Sequence, residues 1–279
     1  MIQEKPSSAT PMHDFVTMPA LPLDQIICGD NCDVMGSFPR DCIDLVVTSP
    51  PYDDLRTYGG HAWDFYGVAW NLKRLLKPGG VIVWVVADQV EDGSETGTSL
   101  RQALHFQSIG LNLHDTMIYQ KNSYPFPPTN RYYQQSEYMF VLSKGSPKTF
   151  NGLVQATKWR KETDEVSTTR QADGSTKEMK YEKGKETRLR DNVWQVDTGF
   201  MRTTDDKSAY KHPAMFPEAL ARDHILSWSN EGDVVLDPFS GSGTTAKMAK
   251  YNGRRFIGIE VNPDYVAISE KRLLQQVLF

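Results

Sequence analysis

Short apolar runs, each closed by turn-forming residues, recur along the chain and alternate with helix-like stretches. Gln25 to Cys28 runs into Gly29-Asp30. Ile43 to Val47 runs into Thr48-Ser49-Pro50-Pro51-Tyr52, and Val81 to Val86 follows a Pro78-Gly79-Gly80 turn. Runs without polar alternation suit strands buried on both faces. Asn31 to Phe38, Gly67 to Leu76 and Ser99 to Ser108 read as the intervening helices, and this alternation predicts a parallel α/β sheet. His114 to Tyr119 and Glu137 to Leu142 read as two further strands, with Pro125, Pro127 and Pro128 forcing a loop between them. Pro213 to Trp228 reads as a helix with proline near its first turn. A strand from Val234 to Asp237, a helix ending near Tyr251, a strand from Arg255 to Glu260 and a helix from Pro263 to Leu274 close the pattern.

Two regions interrupt it. Residues 1–23 read as an irregular, proline-bearing arm. From Lys158 to about Arg190 the sequence becomes charged and polar, and order resumes near Val193-Trp194-Gln195-Val196. The expected division is an arm (1–23), a first half-domain (24–149), an insertion (150–210) and a second half-domain (211–279). With 279 residues, 39% of them hydrophobic, the chain can bury a full core without disulfides. No run approaches the roughly 18 apolar residues that span a bilayer, so no membrane partner is expected. No basic start precedes an apolar stretch, so no secretory signal is expected. Cys28, Cys32 and Cys42 are an odd set with no matching histidine cluster, which points to reduced thiols in a cytoplasmic compartment. Cys28 and Cys42 read as buried thiols, and no metal is expected.

Net charge is −4, which alone disfavours a non-specific nucleic-acid coat. The distribution is uneven: Lys177 to Arg190 holds six basic and three acidic residues. That element, with Lys183, Lys185, Arg188 and Arg190, suits a DNA-facing loop and equally a solvated surface. Lys121 and Arg131, near the proline-rich loop, are candidates for phosphate contacts.

Two loops carry candidate chemistry. Asp237 to Thr245 (Asp-Pro-Phe-Ser-Gly-Ser-Gly-Thr-Thr) joins a strand to a helix through two glycines. Glycines there allow close backbone approach, and a helix N-terminus offers unpaired N–H groups, so a nucleotide-like cofactor fits. The third glycine of the dinucleotide fingerprint and the Gly-Lys-Ser/Thr of a P-loop are both missing. Glu260 ends the next strand, where an acidic residue would grip ribose hydroxyls. Ser49-Pro50-Pro51-Tyr52 also follows a buried strand. Its prolines fix the backbone, and its carbonyls, hydroxyl and ring suit a flat, amine-bearing ring. A plain tight turn and a plain strand-ending loop are the competing readings.

Together these loops resemble the DNA amino-methyltransferases that use S-adenosylmethionine. Ser49 to Tyr52 is similar to that family's Asp/Asn/Ser-Pro-Pro-aromatic motif, and Asp237 to Thr245 to its Asp-Pro-Phe-x-Gly-x-Gly-Thr-Thr loop. Phe256 to Glu260 with Asn262 and Tyr265, His212-Pro213-Ala214 with Phe216-Pro217, and Gly29-Asp30 resemble three further family motifs. The catalytic motif precedes the cofactor motif, as in the permuted β group. The resemblance implies a Rossmann-like, seven-stranded sheet flanked by helices, its last strand antiparallel, with an inserted target-recognition segment at roughly 150–210.

It further implies site-specific methylation of DNA, with Ser49, Pro50, Pro51 and Tyr52 catalytic and no metal. Asp237, Phe239, Gly241, Gly243 and Thr244 would wrap the methionine part of S-adenosylmethionine. Glu260 would hold the ribose, Asp30 the adenine amine, and Phe216 and Asn262 would add contacts. The alternative for Asp30 is a helix N-cap. Serine at the first catalytic position goes with cytosine N4 in this family, aspartate with adenine N6. The resemblance thus implies an N4-cytosine enzyme acting on a flipped base, with N6-adenine as alternative. A homodimer is the family expectation, and a companion restriction endonuclease and a prokaryotic or phage-infected cytoplasm belong to the same context. Methylation of RNA or a small amine, and non-catalytic nucleic-acid binding, are the competing functions. The insertion argues against the small substrate, and the intact Ser49 to Tyr52 loop against the non-catalytic protein.

Overall fold

The computed structural model describes residues 20–52, 63–122, 130–157, 165–181, 186–199, 201–211 and 215–275. Among the described residues eight strands form one sheet: β1 (Gln25–Cys28), β2 (Ile43–Thr48), β3 (Leu76–Val86), β4 (Asn112–Lys121), β5 (Ser136–Ser143), β6 (Val193–Val196), β7 (Val234–Asp237) and β8 (Arg255–Glu260). Their spatial order is β1-β8-β7-β2-β3-β5-β4-β6. Neighbours run parallel except β5, which is antiparallel to both β3 and β4. The seven expected strands are all present. The eighth, β6, comes from the end of the 150–210 segment and pairs Trp194 with Tyr119, so that part of the expected insertion belongs to the sheet.

Helices α1 (Asn31–Gly36), α2 (Phe65–Leu75) and α3 (Thr98–Ser108) cover one face, and α4 (Glu218–Trp228), α5 (Thr244–Tyr251) and α6 (Pro263–Leu274) the other. The strands divide their side chains accordingly. Val46, Ile82, Trp84 and Leu236 join Val68, Leu72 and Phe106 in one core. Leu45, Val47, Val83 and Val235 join Leu220, Ile225 and Ala249 in the other. This two-sided burial explains the unbroken apolar runs. Each fully buried aliphatic or aromatic side chain contributes roughly 1.5–3 kcal/mol.

Element boundaries differ from the sequence reading where backbone geometry intervenes. Helix α1 stops at Gly36, two residues early, because Ser37 turns its N–H and hydroxyl back onto Val34. Strand β3 begins at Leu76 and carries Pro78-Gly79-Gly80 within it, at an irregular register between Ile43 and Leu45. Helix α4 begins only at Glu218, with Pro217 at its N-cap; residues 212–214 lie outside the described ones. The thiols also differ: Cys28 is exposed, and Cys42 only partly covered.

Opposite the loop edge, the buried Asp44 carboxylate accepts Lys148 Nζ (2.5 Å), Lys77 Nζ (2.7 Å) and the Val234 N–H (2.9 Å). Burial pushes its pKa up, but these bonds outweigh it and hold it below the ordinary carboxylate value. The cluster ties β2 to β7, whose register (Leu236 opposite Val46) makes the two candidate loops neighbours. Beyond the sheet, Val154–Ala156 pairs with Thr187–Leu189, and Glu165–Arg170 with Thr176–Tyr181, in two small antiparallel ladders.

Candidate active site

The parallel register brings the strand ends to one edge. Cys28 lies opposite Glu260, Asp237 opposite Gly258, and Thr48 opposite Trp84. Because β5 is reversed, its first residues reach the same edge, Glu137 opposite Tyr119. There the chain encloses a cavity of about 1010 Å³, lined by Asp30, Ser49 to Tyr52, Phe216, Asp237 to Ser242, Thr244, Glu260 and Asn262, and by Tyr119, Lys121 and Glu137. Its volume lies at the upper end of the roughly 300–1,000 Å³ of small-molecule sites. Thirteen sequence-singled positions converge here: the four of the Ser-Pro-Pro-Tyr loop, Asp30, Phe216, Asp237, Phe239, Gly241, Thr244, Glu260, Asn262 and Lys121.

The cofactor-loop candidate is built mainly from backbone. Gly241 (φ 49°) and Gly243 (φ 78°) take the left-handed conformation. A Cβ on Gly243 would meet Ser269 Cβ at 2.8 Å, so a side chain there is both strained and blocked. Glu260 ties the loop to the start of α6, Oε2 accepting from Gly241 N and Oε1 from Asn262 N, each at 2.8 Å. Asn31 Nδ2 donates to the Pro238 carbonyl (3.2 Å), joining this loop to the turn at Asp30. The N-cap alternative for Asp30 holds in the structure: Oδ1 accepts from the N–H groups of Cys32 (2.8 Å) and Asp33 (3.1 Å). Asn262 likewise caps α6 through the Asp264 N–H (2.9 Å).

Asp237 lies under the loop. Its Oδ1 accepts the Thr48 hydroxyl (2.7 Å) and the Phe239 N–H (3.1 Å), bridging the two loops. Burial raises its pKa to about 6, against the lowering effect of those bonds. Beneath it, fully buried Arg272 donates to the Ser242 carbonyl (2.5 Å) and the Thr244 hydroxyl (3.1 Å), while pairing with Asp206 (3.0 Å) and Glu218 (2.7 Å). Lys247 pairs with the same two carboxylates.

The Ser-Pro-Pro-Tyr loop is built from side chains. Ser49 Oγ and Tyr52 Oη are 2.8 Å apart, and Tyr52 Oη donates to Glu137 Oε2 at 3.0 Å. Glu137 Oε1 is ion-paired with Lys121 Nζ. Trp63 closes one side, edge-on to Phe239 at 4.8 Å. Tyr119, beside Glu137, has a buried hydroxyl with no partner among the described residues, and burial pushes its pKa up.

The DNA-contact candidates are dispersed. Lys121 faces Glu137 in the cavity rather than standing outside, because β4 ends at the cavity wall. Arg190 also departs from expectation: it pairs with Asp223 (2.5 Å) and covers the Trp194 ring at 4.4 Å, packing β6 against α4. Arg188 is engaged by Asp191 (2.5 Å), and Arg131 donates to the Gly93 carbonyl (2.7 Å). Lys183 and Lys185 lie outside the described residues. The sequence reading missed Glu137, Tyr119, Trp63 and Arg272. Only Glu137 carried a signal, a carboxylate opening an otherwise apolar strand.

Comparison with known proteins agrees with this architecture. The profile of the N6/N4 DNA methylase family matches residues 43–271. The chain is 53% identical over 242 residues to the orphan methyltransferase M.BamHII of Bacillus amyloliquefaciens, covering 85% of this chain and 91% of the relative. It is 26% identical to the type II methyltransferase M.SmaI of Serratia marcescens, over 90% and 91% of the two chains. Among solved structures, the fold matches PvuII DNA methyltransferase (cytosine-N4-specific) with a TM-score of 0.65 at 22% identity, over 91% and 87% of the chains. TTHA0409 of Thermus thermophilus, solved in complex with S-adenosyl-L-methionine, matches with a TM-score of 0.58 at 26% identity, over 89% and 94%. With the family profile spanning most of its length and a relative identical at more than half the aligned positions, the chain belongs to the N6/N4 family of DNA methylases.

Proposed function

We propose that this DNA methylase transfers a methyl group from S-adenosylmethionine to the exocyclic N4 of a cytosine turned out of the duplex. One observation carries the reading: a serine hydroxyl, Ser49, stands at the cavity wall just after β2, the neighbour of the strand that leads into the cofactor-type loop, with Thr48 and Asp237 bonded across the gap. The residues present fit the cofactor. Asp30, Asp237 and Glu260 bring carboxylates to a ligand with a positive sulfonium, an amine and ribose hydroxyls, and the buried Ser240 hydroxyl in the same wall has no partner among the described residues. In this reading Glu260 accepts the ribose hydroxyls, Asp30 accepts the adenine amine through Oδ2, and the loop from Phe239 to Thr244 encloses the methionine part. Phe216 and Asn262 add wall contacts.

When bound, the cofactor supplies an activated methyl group. The protein's part is positioning and electrostatics. An exocyclic amine is a poor nucleophile because its lone pair is delocalised into the ring. Ser49 Oγ and the Pro50 carbonyl accept its two N–H groups and draw the nitrogen toward tetrahedral geometry. Tyr52 covers the base, whose exit from the stack costs a few kcal/mol. In this reading the ladders within 150–210 carry recognition of the DNA sequence, and the family context is restriction–modification.

The test is incubation of the purified protein with duplex DNA and labelled S-adenosylmethionine, followed by nucleoside mass spectrometry. N4-methylcytosine is the expected product. N6-methyladenine overturns the base assignment, and an unmodified duplex overturns the reading.

A further inference from the structure

We propose that Glu137 is a positioning residue for Ser49, acting through the Tyr52 hydroxyl; this rests on the reading of Ser49 as acceptor for the target amine. A serine hydroxyl both donates and accepts, whereas an ionised carboxylate in its place would only accept. A serine that must accept from an amine therefore needs its own proton directed elsewhere. The hydrogen-bond chain at the cavity wall does this. Tyr52 O–H donates to Glu137 Oε2 at 3.0 Å, so the phenol proton is committed to the carboxylate. Tyr52 Oη is then the acceptor in its 2.8 Å contact with Ser49, and the Ser49 proton points at Tyr52. The Ser49 oxygen consequently meets the base as an acceptor. The Lys121 ion pair holds the other Glu137 oxygen, which fixes the carboxylate in place. Glu137 itself is only 9% exposed and sits in the strand register opposite Tyr119, so its position is set by the sheet and not by a mobile loop.

The same bonds define a route for the proton that methylation releases. As the nitrogen bonds to the methyl carbon and the carbon–sulfur bond breaks, the nitrogen holds one proton too many. That proton passes to Ser49 Oγ, the Ser49 proton to Tyr52 Oη, and the Tyr52 proton to Glu137 Oε2. One proton leaves the base and one arrives on the carboxylate. Ser49 directly follows β2 and Glu137 lies in β5, far apart in the chain, and the sheet brings them together.

The experiment compares wild type, Glu137→Gln, Tyr52→Phe and the double variant. Single-turnover methylation is measured at saturating DNA and S-adenosylmethionine, with binding of each ligand measured separately. Each single variant is expected to slow transfer about 10- to 100-fold with both affinities within about threefold. In the double variant the loss should be no more than about threefold beyond the slower single, because two members of one chain couple. Glu137→Asp should recover part of the rate. Near-wild-type transfer by Glu137→Gln, or losses that multiply, overturns the proposal. A neutron crystal structure of Glu137→Ala needs no activity: the Tyr52 proton should now point at Ser49, and a Ser49 proton that still points at Tyr52 overturns the proposal. A wild type that methylates no DNA defeats the functional reading, and the crystal structure then judges the chain separately.

Discussion

The two loops that meet at the cavity are built by opposite means. The loop after β7 presents backbone: glycines in left-handed conformations, amides anchored on Glu260, and a buried ion cluster under Ser242 and Thr244. The loop after β2 presents side chains: prolines remove its donors, and Ser49, Tyr52, Glu137 and Lys121 form a chain of polar contacts. Backbone suits a cofactor that is always the same, because N–H groups held in place need no adjustment. Side chains suit the reacting atoms, where an acceptor must be aimed at one nitrogen and a proton moved. The difference predicts separable damage: changes in the first loop weaken cofactor binding, and changes in the second slow chemistry.

The largest expected effect is on chemistry. Ser49→Ala should slow methyl transfer at least about 100-fold, the scale on which removal of one preorganised hydrogen-bonding group slows a reaction. Cofactor affinity, measured by calorimetry, should stay within about threefold, since the Ser49 hydroxyl is engaged by Tyr52 and not by the β7 loop. An equal loss in both quantities would merge the two loops into one functional unit. Next comes Arg272→Met, which removes one of the two cations, Arg272 and Lys247, that the described residues bring to Asp206 and Glu218, and withdraws donors from Ser242 and Thr244. Removing one member of a buried charge cluster costs about 3 kcal/mol. Urea unfolding should show that loss, and the surviving folded protein should bind cofactor more weakly.

The contrast also explains what could be read in the sequence. The β7 loop was legible because its parts are contiguous: Asp237 to Thr245 contains the turn, the glycines and the helix start, and Glu260 follows on the next strand. The apolar runs were legible because a sheet covered on both faces needs them. The partners of the β2 loop were not, since Glu137 lies 85 residues from Tyr52 and only the reversed direction of β5 delivers it to the cavity. Arg272 reads in sequence as a cation near a helix end, where solvation is the rule. Its burial depends on carboxylates 66 and 54 residues away. Lys121 and Arg190 were misplaced for the same reason: charge count along the chain does not say which cations have buried carboxylates opposite them. Helix α4 starts later than the sequence suggests because Pro217, four residues after Pro213, takes the N-cap in extended backbone.

A smaller effect sharpens the backbone side of the comparison. Gly243→Ala places a methyl 2.8 Å from Ser269 Cβ at a φ of 78°. Strain and overpacking together cost about 1–3 kcal/mol. Cofactor affinity should fall roughly tenfold, with single-turnover transfer at saturating cofactor within about threefold of wild type. A fall in transfer rate at saturation would show that the loop also steers the methyl group.

The smallest effect concerns Asp237, which bonds both Thr48 and Phe239 and so links the two loops. Burial raises its pKa to about 6, so it is largely protonated below that pH and ionised above it. Two consequences have opposite signs. The folded-state pKa lies above the unfolded one, so this group's contribution to stability is complete below about pH 4 and is lost as pH rises through 6. A cationic ligand prefers the ionised form, so affinity for S-adenosylmethionine should rise with pH through the same range, by no more than tenfold per unit for one coupled proton. Between pH 5 and 7, calorimetry should show affinity increasing about three- to tenfold, with proton release on binding, while the ligand-free protein loses a little thermal stability from this group. Asp237→Asn keeps an oxygen for Thr48 and for the Phe239 N–H but cannot ionise, so its affinity should be flat across that range. A slope that survives in Asp237→Asn would assign the titration to another carboxylate of the cavity and leave Asp237 as a structural bridge between the loops.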